Sequence, residues 1–198
     1  WHHLLGTQLT DQQWSICWKR TSSSKVAGST RSLLWKLLHR RLRLLYYDYI
    51  RNFYLRTANC LLCECDATET YQHLFSACHS VRHTVWEATK QVLTALQLPH
   101  SLASEPTAQL LGVTSDLPTD CLANTVWPGE DPPTEDTLSR LLGGTWGELR
   151  AVAIQSVWYA RNKILHSGPL HPVQRKLLLK HFFWSHLRKV AGGKIRPP

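Results

Sequence analysis

Residues 60–78 read CLLCECDATETYQHLFSAC, in which Cys60, Cys63, His73 and Cys78 form the spacing C-x2-C-x9-H-x4-C. A gap of two residues lets the first pair hold one metal ion from a tight turn. A gap of four residues places the second pair on adjacent turns of a helix with an irregular start. Because zinc prefers four sulfur or nitrogen ligands in a tetrahedron, the pattern predicts a closed structural Zn²⁺ site.

Two other interpretations of these cysteines compete with the zinc site. One is chance clustering in a chain with 6 Cys and 11 His, and the other is a disulfide pair, which an even number of cysteines permits. The length of the chain, the absence of a signal peptide and the turn-like spacing of Cys60 and Cys63 favour the metal. The ligand set itself stays open at two places, since Cys65 could replace Cys63 and His79 could replace Cys78.

A family resemblance begins at residues 69–78, which read ETYQHLFSAC and are followed by Trp86. This stretch resembles the zinc-binding domain of non-LTR retrotransposon reverse transcriptases. The shared features are the C-x-x-C pair, the E-T before the histidine, the H-L-F at the histidine, the later cysteine and the tryptophan. Upstream, LWKLLHRRL at 34–42 resembles the family's tryptophan-bearing helix, and downstream VWYARN at 157–162 resembles a W-x-x-R-N helix that often follows. The close match covers roughly residues 32–90.

This resemblance implies a nucleic-acid-binding zinc domain from the C-terminal part of a reverse transcriptase. Its expected role is to position RNA template or target DNA beside an upstream reverse transcriptase domain. The alternative is a structural, zinc-stapled helical module for protein–protein interaction, without direct nucleic-acid contact.

The residues before the cysteines predict helices with a basic, aromatic surface. Leucines at 34, 37, 38, 42 and 45 repeat at intervals of three and four, which is typical of the buried face of an amphipathic helix. Between residues 31 and 56 there are seven basic side chains and one acid, interleaved with Tyr and Phe. Cations bind phosphates and rings stack on bases, so this stretch predicts a nucleic-acid-binding surface. Its candidate residues are Arg40, Arg41, Arg43, Arg51 and Arg56. Solvated surface arginines are the alternative explanation.

The net charge of +9 is unevenly distributed along the chain. Residues 101–139 contain seven acids and no Lys or Arg, so the remaining residues carry 23 basic and 7 acidic side chains, a net charge of +16. An excess of this size favours a polyanionic partner, RNA or DNA, because phosphate neutralisation releases counterions.

Residues after the cysteines complete an all-α prediction with one small zinc knuckle between helices. Residues 1–98 are expected to form the helices and knuckle, with one helix from about 70 to 96. Residues 99–139 hold six of the ten prolines and predict an acidic, Pro-rich linker with a short helix near 107–112. Residues 140–198 predict a C-terminal helical pair, the second helix starting at Pro172, with a basic tail.

Several function classes are disfavoured by the sequence. No apolar run reaches the ~18 to 20 residues of a membrane span. No polymerase acid pair, nuclease cluster or nucleophile constellation is visible, and no small-molecule substrate is expected. Four ligands close the zinc site, whereas a catalytic zinc keeps one position for water, so we expect this segment not to be an enzyme. Thiols that serve a metal fit a reducing nucleus or cytoplasm. The lack of Met, even at position 1, predicts a piece of a longer polypeptide.

Overall fold

A computed structural model describes residues 1–6, 8–23, 26–51, 58–96, 98, 100–113 and 135–192. Over these residues the chain is helical and contains no β-strand, only an isolated antiparallel bridge between Asn59 and Thr68. The Cys/His cluster lies between helices. The predicted all-α fold with a small zinc site is therefore confirmed.

The α-helices follow one another along the whole described chain. They are α1 (His2–Leu5), α2 (Asp11–Thr21), α3 (Gly28–Leu38), α4 (Leu45–Arg51), α5 (His79–Val81), α6 (Glu87–Ala95), α7 (Pro106–Leu111), α8 (Glu135–Ser167) and α9 (Pro172–Val190). Two π-helical turns, His73–Ala77 and Arg82–Trp86, flank α5, and a 3₁₀ turn covers His100–Ala103.

The leucine stripe of α3 and the segment after it is buried as predicted. Its five leucines are all at most 7% exposed. Four of them, Leu34, Leu37, Leu38 and Leu42, belong to the same core cluster as residues of the helices that follow the cysteines. Trp35 differs from its neighbours, because half of its surface is exposed. The stripe therefore turns α3 so that its basic residues remain at the surface.

The predicted helix over 70–96 is broken at Cys78, whose ψ of 122° leaves the helical region. The break separates the π turn at His73–Ala77 from α5, and a second π turn follows before α6. Apolar residues on both sides of the break face the core, since Leu74, Val81, Val85 and Leu93 are fully buried.

Residues 100–113, which belong to the predicted linker, pack into the core. Helix α7 buries Ala108, Leu110 and Leu111. Gly112 ends this helix at φ +76°, and a Cβ there would lie 3.2 Å from the Arg150 side chain, which donates to the carbonyls of Gln109 and Leu110. The short helix predicted near 107–112 is present, while residues 114–134 lie outside the described residues. The three-part division of the chain stays a prediction.

The predicted C-terminal helical pair is α8 and α9, which pack along each other. Leu179 and Phe183 of α9 are fully buried, and so are Val157 and Ala160 of α8. One hydrophobic core cluster contains residues from α2, α3 and α5 through α9, and Tyr47 of α4 packs against it. The zinc segment is thus seated against helices that come much later in the chain.

Candidate metal centre

Backbone hydrogen bonds shape the first half of the metal centre. The N–H of Cys60 donates to the carbonyl of Ala67 at 2.9 Å, and the N–H of Glu69 donates to the carbonyl of Ala58 at 2.8 Å. Asp66 closes the turn at φ +50°. These contacts fold residues 58–69 back on themselves, so that Cys60 and Cys63 face the helical segment that follows.

The second half of the centre is the π turn that contains His73. The N–H of Cys78 donates to the carbonyl of His73 at 2.7 Å, a bond from residue i+5 to residue i. In an α-helix of 3.6 residues per turn, side chains five positions apart diverge by roughly 140°. A π turn brings residues five apart onto one face, which is why π-bulges recur at functional sites. The local geometry therefore lets His73 and Cys78 converge.

The four predicted ligand atoms lie together. Those of Cys60, Cys63, His73 and Cys78 are all within 4.8 Å of one another, and the three cysteines are buried. The Cys60 and Cys78 sulfurs are 3.9 Å apart, and the Cys63 sulfur is 3.3 Å from His73 Nε2. Four ligands at zinc bond lengths in a tetrahedron are about 3.8 Å apart. The donor set and its spacing fit Zn²⁺, and the cluster is able to hold a metal ion.

Two of the thiols are coupled by a hydrogen bond. The Cys60 S–H donates to the Cys78 sulfur, which raises the pKa of Cys60 and lowers that of Cys78; burial of Cys60 adds to its increase. A metal needs both as thiolates, so binding releases protons and the affinity for zinc falls with falling pH.

Of the two alternative ligands, His79 lies outside the cluster and Cys65 lies beside it. The ring of His79 packs against His83, with centroids 4.3 Å apart. The Cys65 sulfur is 3.7 Å from His73 Nε2 and makes a disulfide-type contact with the Cys63 sulfur. Since a thiolate is the ligand form, Cys63 either holds the metal or pairs with Cys65. We favour the metal, because Cys63 is buried among three further ligands while Cys65 is exposed.

Replacing Cys65 with serine tests that assignment. We expect Cys65→Ser to keep one zinc per chain, because the buried set of four remains complete. Metal analysis of the purified protein, with Cys63→Ser as the matched comparison, measures this. Loss of zinc in Cys65→Ser together with retention in Cys63→Ser would make Cys65 the ligand.

A buried ion pair that the sequence did not predict joins the zinc segment to α8. Arg161 Nη2 donates to Glu69 Oε1 at 2.9 Å, and the two side chains are 3% and 0% exposed. The same oxygen accepts the N–H of Leu45 at 2.8 Å, at the start of α4. The signal was present in the family motifs, since Glu69 belongs to the E-T and Arg161 to the W-x-x-R-N. Nothing in either stretch showed that they meet across 92 residues.

Phe75 in the π turn makes aromatic contacts, and a cation reaches the backbone of Cys63. Trp86 donates from Nε1 to the carbonyl of Phe75 at 2.7 Å, and Phe75 stacks on Trp158 at 6.4 Å between ring centroids. From α9, Arg175 Nη1 donates to the carbonyl of Cys63 at 3.3 Å. Three thiolates and Zn²⁺ carry a net charge of −1, so a cation here is favourable.

Three of the five predicted arginines lie on the exposed loop between α3 and α4, which we call the arginine loop. Arg40, Arg41 and Arg43 line a cavity of about 490 Å³, the arginine cavity, together with Tyr47 and Asp48. Arg40 donates to the Tyr47 hydroxyl at 3.0 Å, and Arg43 pairs with Asp48 at 3.1 Å. The structure therefore brings three of the five candidates together.

The other two candidates are not placed by the structure. Arg51 ends α4, but its side chain lies outside the described residues, as does the whole of Arg56.

Comparison with known proteins gave one match. Residues 1–93 match the family described as zinc-binding in reverse transcriptase, so the resemblance is confirmed over that part of the chain. No curated protein and no solved structure matched. Among the described helices, none is long and apolar enough to cross a membrane.

Proposed function

Because residues 1–93 match the family described as zinc-binding in reverse transcriptase, we propose that this chain is a nucleic-acid-binding module of a longer polypeptide. The zinc fixes the fold and the arginine loop binds the phosphate backbone of RNA template or target DNA. The chemistry of polymerisation belongs to the upstream reverse transcriptase domain, in a polypeptide derived from a retrotransposon.

The observation that carries this proposal is a pair of direct hydrogen bonds between the metal segment, residues 58–78, and the arginine loop with the start of α4. The Tyr71 hydroxyl donates to the carbonyl of Leu42 at 2.9 Å, and burial raises the pKa of Tyr71 to about 12, so this donor stays protonated. Glu69 accepts the N–H of Leu45. Two residues just before the ligand His73 thus hold both sides of Arg43.

The loop presents its cations for an external partner. Arg40, Arg41 and Arg43 are exposed, and the Arg43 side chain keeps 77% of its surface accessible although it pairs with Asp48. Arg40 also sits at φ +54°, which is uncommon for a residue with a Cβ. The surroundings hold the backbone in this state, and the guanidinium groups of the loop suit bidentate phosphate contacts.

Substitution of the three arginines with alanine tests the proposal. We expect weaker binding to RNA and DNA and a salt dependence reduced by about 0.9 log units per lost duplex phosphate contact. Fluorescence anisotropy at several salt concentrations measures the slope.

The matched control replaces three exposed cations of α9, Lys176, Lys180 and Lys189, which do not line the arginine cavity. Both triple variants lose the same charge, and both should retain zinc and the unfolding midpoint. Equal slopes for wild type and the arginine variant would contradict the proposal, and equal losses in both variants would reduce it to a general charge effect.

A second candidate is protein docking, favoured by an exposed aromatic cluster on α2 and α3. Trp18 and Trp35 are 42% and 50% exposed, and both rings pack against His39, at 5.2 and 4.2 Å between centroids. Tryptophan is enriched at the centres of protein interfaces. A protein with intact zinc that binds no nucleic acid would favour this function.

A further inference from the structure

A groove lies between α3 and the arginine loop on one side and α8 and α9 on the other. Its volume is about 800 Å³, and α3, the arginine loop, α8 and α9 all contribute to its lining. Arg41 and Arg43 line both this groove and the smaller arginine cavity. The two spaces therefore adjoin at these arginines.

The charge of the groove is positive. Lys36 contributes from α3 and Lys163 from α8, beside Arg41 and Arg43, and both lysines are exposed. None of the described residues that line it is an Asp or Glu. His166 of α8 also lines the groove. Such a lining attracts an anion with several charges along its length.

The same groove contains aromatic rings. Trp158, Tyr159 and Phe182 line it, and Tyr159 is 42% exposed. Tyr159 packs against Phe182 with centroids 5.9 Å apart, so its ring is supported from the side. Trp158 is fixed by Phe75 and by the Arg161 guanidinium, 5.1 Å from its ring centroid. Supported rings beside cations form a stacking platform of the kind that single strands use.

We propose that this groove binds a short segment of single-stranded nucleic acid, with phosphates on Lys36, Lys163 and the two arginines and an unpaired base on Tyr159. The inference rests on the proposed nucleic-acid function and specifies its ligand. A base within a duplex is already stacked and has no free face, so the ring selects a single strand. Since Lys163 and Tyr159 lie outside residues 1–93, the groove is a property of this whole chain.

Substitutions at the two lysines and at the tyrosine of the groove test this inference in the full chain. Lys36→Ala/Lys163→Ala should lower the salt slope for a single-stranded oligonucleotide by about 1.4 log units, at about 0.7 per contact. Tyr159→Ala should weaken single-strand binding by at least about fivefold, while Tyr159→Phe keeps the ring and the affinity. Binding of a blunt duplex should change little in either tyrosine variant. Lys176→Ala/Lys180→Ala is the charge-matched control, and zinc content and the unfolding midpoint confirm that each variant is folded.

The outcomes separate this inference from the proposed function. If the groove variants bind single strands like wild type while the arginine triple variant binds weakly, the groove is overturned and the proposed function stands. If Tyr159→Ala weakens duplex and single strand equally, the single-strand assignment is overturned. If the arginine triple variant also binds like wild type, both fail.

Discussion

His73→Ala is expected to yield a protein without stoichiometric zinc and with a much less stable fold. The four ligand atoms lie within 4.8 Å of one another, and removal of one leaves three thiols around an incomplete coordination shell. Structural zinc contributes roughly 10–16 kcal/mol of apparent binding free energy in small metal-dependent folds, and that energy becomes folding energy. Residues 58–70 contain no helix, so we expect the metal to contribute much of the stability of this segment. Cys60→Ser should behave in the same way.

Metal analysis and thermal unfolding of the same sample measure this effect. His79→Ala is the matched control, because His79 is exposed, lies one residue after Cys78 and packs against His83 instead of the cluster. We expect His79→Ala to keep one zinc per chain and an unchanged unfolding midpoint. Full zinc occupancy in His73→Ala would refute the ligand assignment, and loss of zinc in the His79 variant would make that residue the ligand.

Arg161→Met is expected to lower the free energy of unfolding by about 3–5 kcal/mol. The substitution leaves the Glu69 carboxylate fully buried without its cation, and the N–H of Leu45 is then its remaining partner among the described residues. Methionine keeps much of the apolar packing on Trp158, so the loss reports mainly the ion pair. Because Glu69 lies between the metal segment and α4, the destabilisation should reach the arginine loop as well.

Chemical denaturation of three variants distinguishes the contribution of the buried ion pair to the free energy of unfolding from that of other contacts. Glu69→Gln/Arg161→Met removes both charges and keeps an oxygen for the Leu45 N–H, so it should be more stable than Arg161→Met alone. Arg43→Ala breaks the exposed pair with Asp48 and should cost at most about 1 kcal/mol. An Arg161→Met variant no less stable than Arg43→Ala would show that the buried pair is unimportant for stability.

For the arginine loop, the sequence predicted the residues but not their arrangement. Clustering of Arg40, Arg41 and Arg43 was visible in the sequence, and their exposure follows from the leucines that turn α3 toward the core. Their arrangement around one cavity depends on Tyr71 and Glu69, which hold the loop from a different segment. Periodicity reports which face of a helix is buried, but it does not report what a loop packs against.

The sequence by itself determined the helical class, most of the helix positions and the metal cluster. These features are local: the apolar intervals of three and four, Pro172 at the start of α9, and ligands within nineteen residues. Only the tertiary structure decided that Glu69 meets Arg161 and that α8 completes a basic groove with α3. Such contacts join residues 92 positions apart in the case of the ion pair. They arise because an unpaired charge is costly once the core excludes water, so a buried carboxylate and a buried guanidinium are stable when they are paired. No local sequence pattern encodes this requirement.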